Sequence, residues 1–221
     1  SDKADVKMIM YNPDGTESKM CSDGLRWVAV YLNKKVKKVK FEIETKAGII
    51  PVLIDKDVII NMGKINITPK KIPVITDKNI FINEDIYVAG ERFKTTCLSV
   101  GNPHAVSFVD NVDNINLKEI GPYFEMHYLF PERVNVNLVQ IINEDAIKIK
   151  TWERGVGEVL SCGSGACASV GAAILNHKLD QNKTIEVASK GGVQKVKCLK
   201  NEEMILKGKA NFIYKGKTYI K

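Results

Sequence analysis

No apolar run in this 221-residue chain comes near the roughly 18 residues of a membrane-spanning helix. A stretch such as residues 48–54 is interrupted by Pro51 and closed by Asp55, so no membrane association is expected. Histidine is scarce: His104, His127 and His177 are too dispersed for any familiar ligand spacing, and no metal is expected. There is no Gly-x-x-x-x-Gly-Lys phosphate loop, and Gly163-Ser164-Gly165 alone is weak evidence for a nucleotide. The opening residues, Ser1-Asp2-Lys3-Ala4-Asp5, lack both an initiator Met and the charged-then-apolar order of a secretory leader, so nothing argues for export. Aromatics are few, at 7%, and do not interleave with the scattered lysines. The formal charge of +7 is therefore read as a solvated surface, with no nucleic-acid partner.

What is present is an ordinary globular balance, 44% hydrophobic and 27% charged, in a chain long enough for one large domain or two modest ones. Five cysteines (Cys21, Cys97, Cys162, Cys167, Cys198) are an odd number, which favours reduced thiols in the cytoplasm over a disulfide framework. Alternating β-branched and polar residues predict strands at 6–10, 39–44, 58–61, 147–151, 184–187, 193–198 and 211–214. Two segments read clearly as helices. One runs from Ser22 to about Leu32, with Leu25, Val28, Ala29 and Leu32 on one face; the other runs from Gly163 to about Asn176, with Ala166, Val170, Ala173 and Ile174 on one face. A weaker helix covers residues 117–123.

Both clear helices follow a cysteine with a glycine three residues on, Cys21-Ser22-Asp23-Gly24 and Cys162-Gly163-Ser164-Gly165. This echo, about 140 positions apart, suggests two similar domains whose helices face one cleft. The expected division is residues 1–67, 68–207, and 208–221 as strands returning to the first domain, with the boundary at Thr68-Pro69-Lys70-Lys71.

A helix N-terminus offers unpaired N–H groups and partial positive charge, which bind carboxylates and lower a neighbouring thiol's pKa. Cysteines at two such termini suit a difficult reaction, removal of the α-hydrogen of an unactivated amino acid. The substrate carboxylate would lie across both helix starts, so that developing enolate charge meets fixed dipoles. One thiolate takes the proton and a thiol on the opposite face returns another, each sulfur roughly 3 to 3.5 Å from the carbon. No lysine stands in a context that demands a pyridoxal Schiff base, and no cofactor is expected. Cys97, Cys167 and Cys198, inside apparent strands or a helix, read as buried small hydrophobes. Cys162 and Cys167 have the x4 spacing of some iron–sulfur sites, but the third cysteine of such a motif is missing.

Several separated motifs then point one way: Tyr11-Asn12-Pro13-Asp14-Gly15-Thr16-Glu17, Met20-Cys21, Gly101-Asn102-Pro103-His104-Ala105-Val106, Pro131-Glu132-Arg133-Val134-Asn135-Val136-Asn137, and Trp152-Glu153-Arg154-Gly155 through Cys162-Gly163-Ser164-Gly165-Ala166-Cys167-Ala168. In this order the sequence resembles the diaminopimelate epimerase family over essentially its whole length. The resemblance implies an α/β fold of the α+β type, with two similar domains, each a strand-rich, mostly antiparallel sheet around a central helix. It implies conversion of LL-2,6-diaminopimelate to the meso isomer, on the way to lysine and peptidoglycan, by a homodimer acting on this small amino acid. Carried over, Cys21 and Cys162 are the acid/base pair. Asn12, Asn102, Asn135, Glu153 and Arg154 hold the distal amino-acid end, while Ser22, Asp23, Gly163 and Ser164 present N–H groups to the reacting carboxylate. His104 either hydrogen-bonds near the reacting centre or supports its loop.

Two departures carry expectations of their own. The family usually has Gly-Asn-Gly after its first cysteine, where this chain has Ser22-Asp23-Gly24. An ionised Asp23 either repels the substrate carboxylate and raises the Cys21 pKa, or stabilises the helix start and points away. Family members also begin with about half a domain more, including an early Asn, so the first domain is expected to be incomplete and the 221 residues alone to be poorly folded or inactive. Alternatives from the residues alone are a racemase for another amino acid and a catalytically silent binding protein on the same fold.

Overall fold

The computed structural model describes residues 1–12, 15–217 and 219, and strands dominate it. In chain order the elements are β1 (Val6–Lys7), α1 (Ser22–Val36), β2 (Lys40–Thr45), β3 (Gly48–Ile54), β4 (Val58–Lys64), β5 (Glu84–Val88), β6 (Glu91–Ser99), β7 (Pro103–Phe108), α2 (Leu117–Glu125), β8 (Asn135–Asn143), β9 (Ala146–Glu153), β10 (Gly157–Val159), α3 (Gly163–Leu175), β11 (Thr184–Ser189), β12 (Gly192–Cys198) and β13 (Glu203–Gly208). A 3-10 turn at Pro69–Lys71 lies between β4 and β5.

The strands lie in the order β1-β2-β3-β4-β13-β12-β11-β9-β8-β7-β6-β5, with β10 paired on β9. Neighbours run antiparallel except β1/β2, β7/β8 and β9/β11. Pro51 sits inside β3 without breaking it, because the ladder to β4 begins one residue later, at Val52. The two halves of the sheet join through β13, which pairs antiparallel with β4. That join corrects the expectation for the C-terminal segment: residues 209–217 form no strand, and β13 makes the return to the first half over residues 203–208. Phe212, Ile213 and Tyr214, which read as a strand in sequence, lie exposed, and the ring of Phe212 instead carries the Lys34 ammonium at 4.1 Å.

The two cysteine-led helices are built differently. Helix α1 is amphipathic; Leu25 and Ala29 are fully buried while Trp27 and Tyr31 face out. It runs past the expected end at Leu32 and stops at Lys37, whose left-handed φ of 56° turns the chain and lets its N–H reach Asn33 O. Helix α3 is buried from Gly163 through Ala173, on every face rather than one. Its small residues (Gly, Ala, Ser, Cys) let strands approach all round, and Gly171 packs against Ile65 and Leu98. Both helices contribute to one hydrophobic core, which also holds Cys167 and Cys198. A second core, containing Cys97, forms around α2 from Phe93, Phe124, Phe130 and their neighbours.

Candidate active site

Cys21 and Cys162 are the N-cap residues of α1 and α3, with nearly the same backbone angles, φ −136°, ψ 116° and φ −146°, ψ 113°. In each case the sulfur takes the place of the usual Ser or Asp oxygen and accepts a helix N–H, from Gly24 at 3.4 Å and from Gly165 at 3.3 Å. The first intrahelical bonds run from Leu25 N–H to Cys21 O and from Ala166 N–H to Cys162 O. The amides ahead of them, on Ser22, Asp23, Gly163 and Ser164, belong to residues that line a cleft of about 590 Å³.

The two helix starts touch. A β-carbon built on Gly163 would fall 2.0 Å from Ser22 Oγ and 2.9 Å from Ser22 Cβ, so only a glycine lets the residues after the two cysteines sit side by side. Two positive helix ends thus converge on one point, a natural seat for a carboxylate.

The rest of the cleft comes from loops and strand ends. Asn12 donates through Nδ2 to Thr16 Oγ1 at 3.0 Å within the Tyr11–Glu17 loop, whose Pro13 and Asp14 lie outside the described residues. Asn102 lines the wall and offers Oδ1 to His104 Nε2 at 3.0 Å. Asn135 is buried, and both ends of its amide are taken: Nδ2 donates to Pro103 O at 2.7 Å and Oδ1 accepts from Arg154 N–H at 3.0 Å. It thereby holds the Arg154 turn, and with one N–H and one lone pair left it also lines the cleft. Arg154 itself donates through Nη1 to Glu132 O at 3.0 Å, and Glu153 beside it accepts from the Cys162 thiol.

His104 is fully buried behind the cleft wall. Its Nδ1 meets the Asn137 amide at 2.9 Å, while Nε2 meets Asn102 Oδ1 and, at 3.1 Å, Ser164 Oγ. Thr151 Oγ1 donates to Asn137 Oδ1, which leaves the amide nitrogen of Asn137 to donate to Nδ1. The ring is thereby the neutral Nε2–H tautomer, and Ser164, accepting from it, directs its own proton toward Cys162 Sγ at 3.4 Å. Burial, with the Arg154 charge nearby, pushes the His104 pKa down to about 3, so the ring is a hydrogen-bonding support and not an acid at neutral pH. Asn137 and Thr151 have no assigned role in the sequence; only the fold brings them to His104.

Burial pushes both thiols up. For Cys21, in part against the Gly24 N–H, the Asp23 and Glu153 charges add to it. Cys162 is raised well above the ordinary thiol value by its burial, by the Glu153 charge and by its hydrogen bond to that carboxylate. Glu153 is itself raised by burial and by Asp23. Asp23 lies in the first turn of α1 and is paired at 2.5 Å with Arg26, a nearly buried side chain that the Gln194 amide oxygen approaches from β12. The acid thus both steadies the helix and acts on Cys21. Among the described residues no three His, Cys, Asp or Glu side chains gather as a metal site would require.

The family described as diaminopimelate epimerase matches residues 96–213. Diaminopimelate epimerases of Bacillus cereus and Bacillus cytotoxicus are 43% and 42% identical, over 98% of this chain and 78% of each relative. Among solved structures, a hydroxyproline epimerase from Agrobacterium vitis superposes with a TM-score of 0.69 at 13% identity, covering 95% of this chain and 69% of that one. A PhzF-family phenazine biosynthesis protein of Bacillus anthracis gives 0.64 at 16% identity, covering 95% and 79%. These two likenesses concern the fold. With the sequence relatives, the matched family and two cysteine-capped helices meeting in one cleft, the chain belongs to the diaminopimelate epimerase family.

Proposed function

We propose that this chain converts LL-2,6-diaminopimelate to the meso isomer by two-base proton exchange at one α-carbon, without a cofactor, supplying lysine and peptidoglycan synthesis. The observation that carries it is the contact of Ser22 with Gly163, which brings the two cysteine-capped helix ends together. The reacting carboxylate lies across the amides of Ser22, Asp23, Gly163 and Ser164. One sulfur, as thiolate, takes the α-hydrogen; the electron pair of the broken C–H bond spreads into the carboxylate, where the helix dipoles stabilise it. The other sulfur, as thiol, gives its proton to the opposite face of the carbon. Glu153 offers the Cys162 proton a destination, since the carboxylate already accepts from that thiol and is itself raised. Arg154 pairs with the distal carboxylate, and Asn12 and Asn102 line its path.

The same reading takes the enzyme as a cytoplasmic homodimer. Five free cysteines support the compartment, the family resemblance supports the dimer, and light scattering of the purified chain checks the latter. Function is tested by incubating the chain with diaminopimelate in deuterated water. Deuterium should appear at the α-carbon, and Cys21→Ala or Cys162→Ala should lose at least about 1,000-fold of the rate. Exchange that survives either substitution would overturn the two-base reading.

A further inference from the structure

Glu125 is the last residue of α2, where the helix dipole disfavours a negative charge, and it is only 7% exposed. A carboxylate in that position needs donors, and it has three. Trp152 Nε1 donates to Oε2 at 2.6 Å, the Gly155 N–H to Oε1 at 2.8 Å, and Arg133 Nη1 to Oε1 at 3.4 Å. Two of these donors, Trp152 and Gly155, immediately flank Glu153 and Arg154. The indole is also seated on α2 from below: a β-carbon on Gly121 would fall 2.5 Å from the Trp152 ring. From the other side the same turn is held by Asn135, through the Arg154 N–H.

We propose that Glu125 is a positioning residue, clamping the Glu153–Arg154 turn so that Glu153 meets Cys162 and Arg154 faces the distal end of the substrate. The inference rests on the epimerase reading of the cleft and adds a residue that touches no reacting atom. Both carboxylate oxygens are used as acceptors, so the amide of Glu125→Gln keeps one of them and turns a donor toward the other partner. The Trp152 indole or the Gly155 amide must then move, and the turn between them moves with it.

The test uses the full chain, with folding followed by circular dichroism and melting. In Glu125→Gln the KM for diaminopimelate should rise tenfold or more. Alkylation of Cys162 by iodoacetamide at fixed pH, read on its own peptide by mass spectrometry, should quicken severalfold as Glu153 withdraws. In a Glu153→Gln background the same change should leave alkylation within twofold, because the carboxylate it acts through is gone. Trp152→Phe, which keeps the ring on Gly121 and removes one donor, should move both readouts in the same direction by less, and it serves if Glu125→Gln does not fold. A folded Glu125→Gln or Trp152→Phe with parental KM and alkylation, or an alkylation effect undiminished in the Glu153→Gln background, overturns the proposal. A parent that exchanges no deuterium into diaminopimelate would count against the epimerase reading instead, with the alkylation series still deciding the clamp.

Discussion

Replacing Gly163 with alanine asks whether the two helix starts must touch. The new methyl would lie 2.0 Å from Ser22 Oγ, 2.9 Å from Ser22 Cβ and 2.7 Å from a Leu206 methyl. Ser22 can swing its hydroxyl to another rotamer, and the leucine can turn, but the Ser22 β-carbon stays where the backbone puts it. Gly163 has no positive φ, so alanine carries no backbone strain there, and helix propensity alone would favour it by up to about 1 kcal/mol. Overpacking of this kind costs about 1–3 kcal/mol, which outweighs the propensity gain, so the melting temperature should fall. Relieving the overlap requires the helix ends to part by on the order of 1 Å, and a displacement of that size at a reacting centre lowers turnover about 100-fold. Ser22→Gly removes both Ser22 contacts at once. The double variant Ser22→Gly/Gly163→Ala should therefore recover most of the stability and most of the deuterium-exchange rate, while Ser22→Gly alone stays near the parent. A Gly163→Ala enzyme as stable and as fast as the parent, or a double variant no better than Gly163→Ala, would refute the claim that this contact sets the sulfur-to-sulfur approach.

Asp23→Asn leaves Arg26, only 7% exposed, without an anionic partner, and should destabilise the chain by about 1–3 kcal/mol in urea unfolding. The same change removes a charge that raises the Cys21 thiol, so Cys21 should be alkylated faster at pH 7.5; a slower reaction would contradict the assigned cause. Glu153→Gln takes away the negative charge that holds the Cys162 thiol up and leaves a weaker, neutral acceptor, so the pH profile of Cys162 alkylation should move to lower pH while KM rises. A profile that stays in place would remove Glu153 from the proton path. His104 stays neutral down to about pH 3 in the folded chain, against 6.5 when exposed. The unfolded state therefore binds the extra proton between these values, and stability should fall as pH drops through that window, by up to about 1.4 kcal/mol per pH unit from this residue. His104→Gln should show a correspondingly flatter loss below pH 6.5, and an equal slope in both proteins would show that the ring is not held neutral.

The sequence makes the cysteine caps visible because two signals coincide there, a Cys-x-x-Gly start and an apolar repeat behind it. It conceals β6, β7 and β8 for a physical reason. Thr95, Thr96, His104, Ser107, Asn135 and Asn137 are all buried in them, satisfied by hydrogen bonds, so the strands neither alternate nor read as hydrophobic runs. The opposite error falls at residues 211–214, where apolar character suggests a strand but none of the described residues pairs with them as one. Asn135 is legible as part of the site, but the bonds to Pro103 and Arg154 that hold it at the cleft wall are not, because both partners reach it only through the fold. Glu125 is a lone charge in the sequence and becomes meaningful only when the fold brings Trp152, Gly155 and Arg133 to it, whereas the Asp23–Arg26 pair, three residues apart on one helix, is there to be read.

The two cysteines share a cap geometry but not an environment. Cys21 is half-buried beside Asp23, which Arg26 partly offsets. Cys162 is buried, with Ser164 donating to it and Glu153 accepting from it. A two-base enzyme must run in both directions, so neither sulfur can be far more acidic than the other, and dissimilar surroundings have to yield similar proton affinities. Glu153 raises both thiols, and Asp23 acts on Cys21 and on Glu153 together. The carboxylates therefore couple the two sulfurs, and protons leave the set in steps that belong to the group and not to single residues. Glu153→Gln should accordingly alter the alkylation of Cys21 as well as that of Cys162, although only Cys162 bonds to it. Independent titration of the two thiols, unchanged by the loss of Glu153, would leave the balance required for reversible inversion without a physical source.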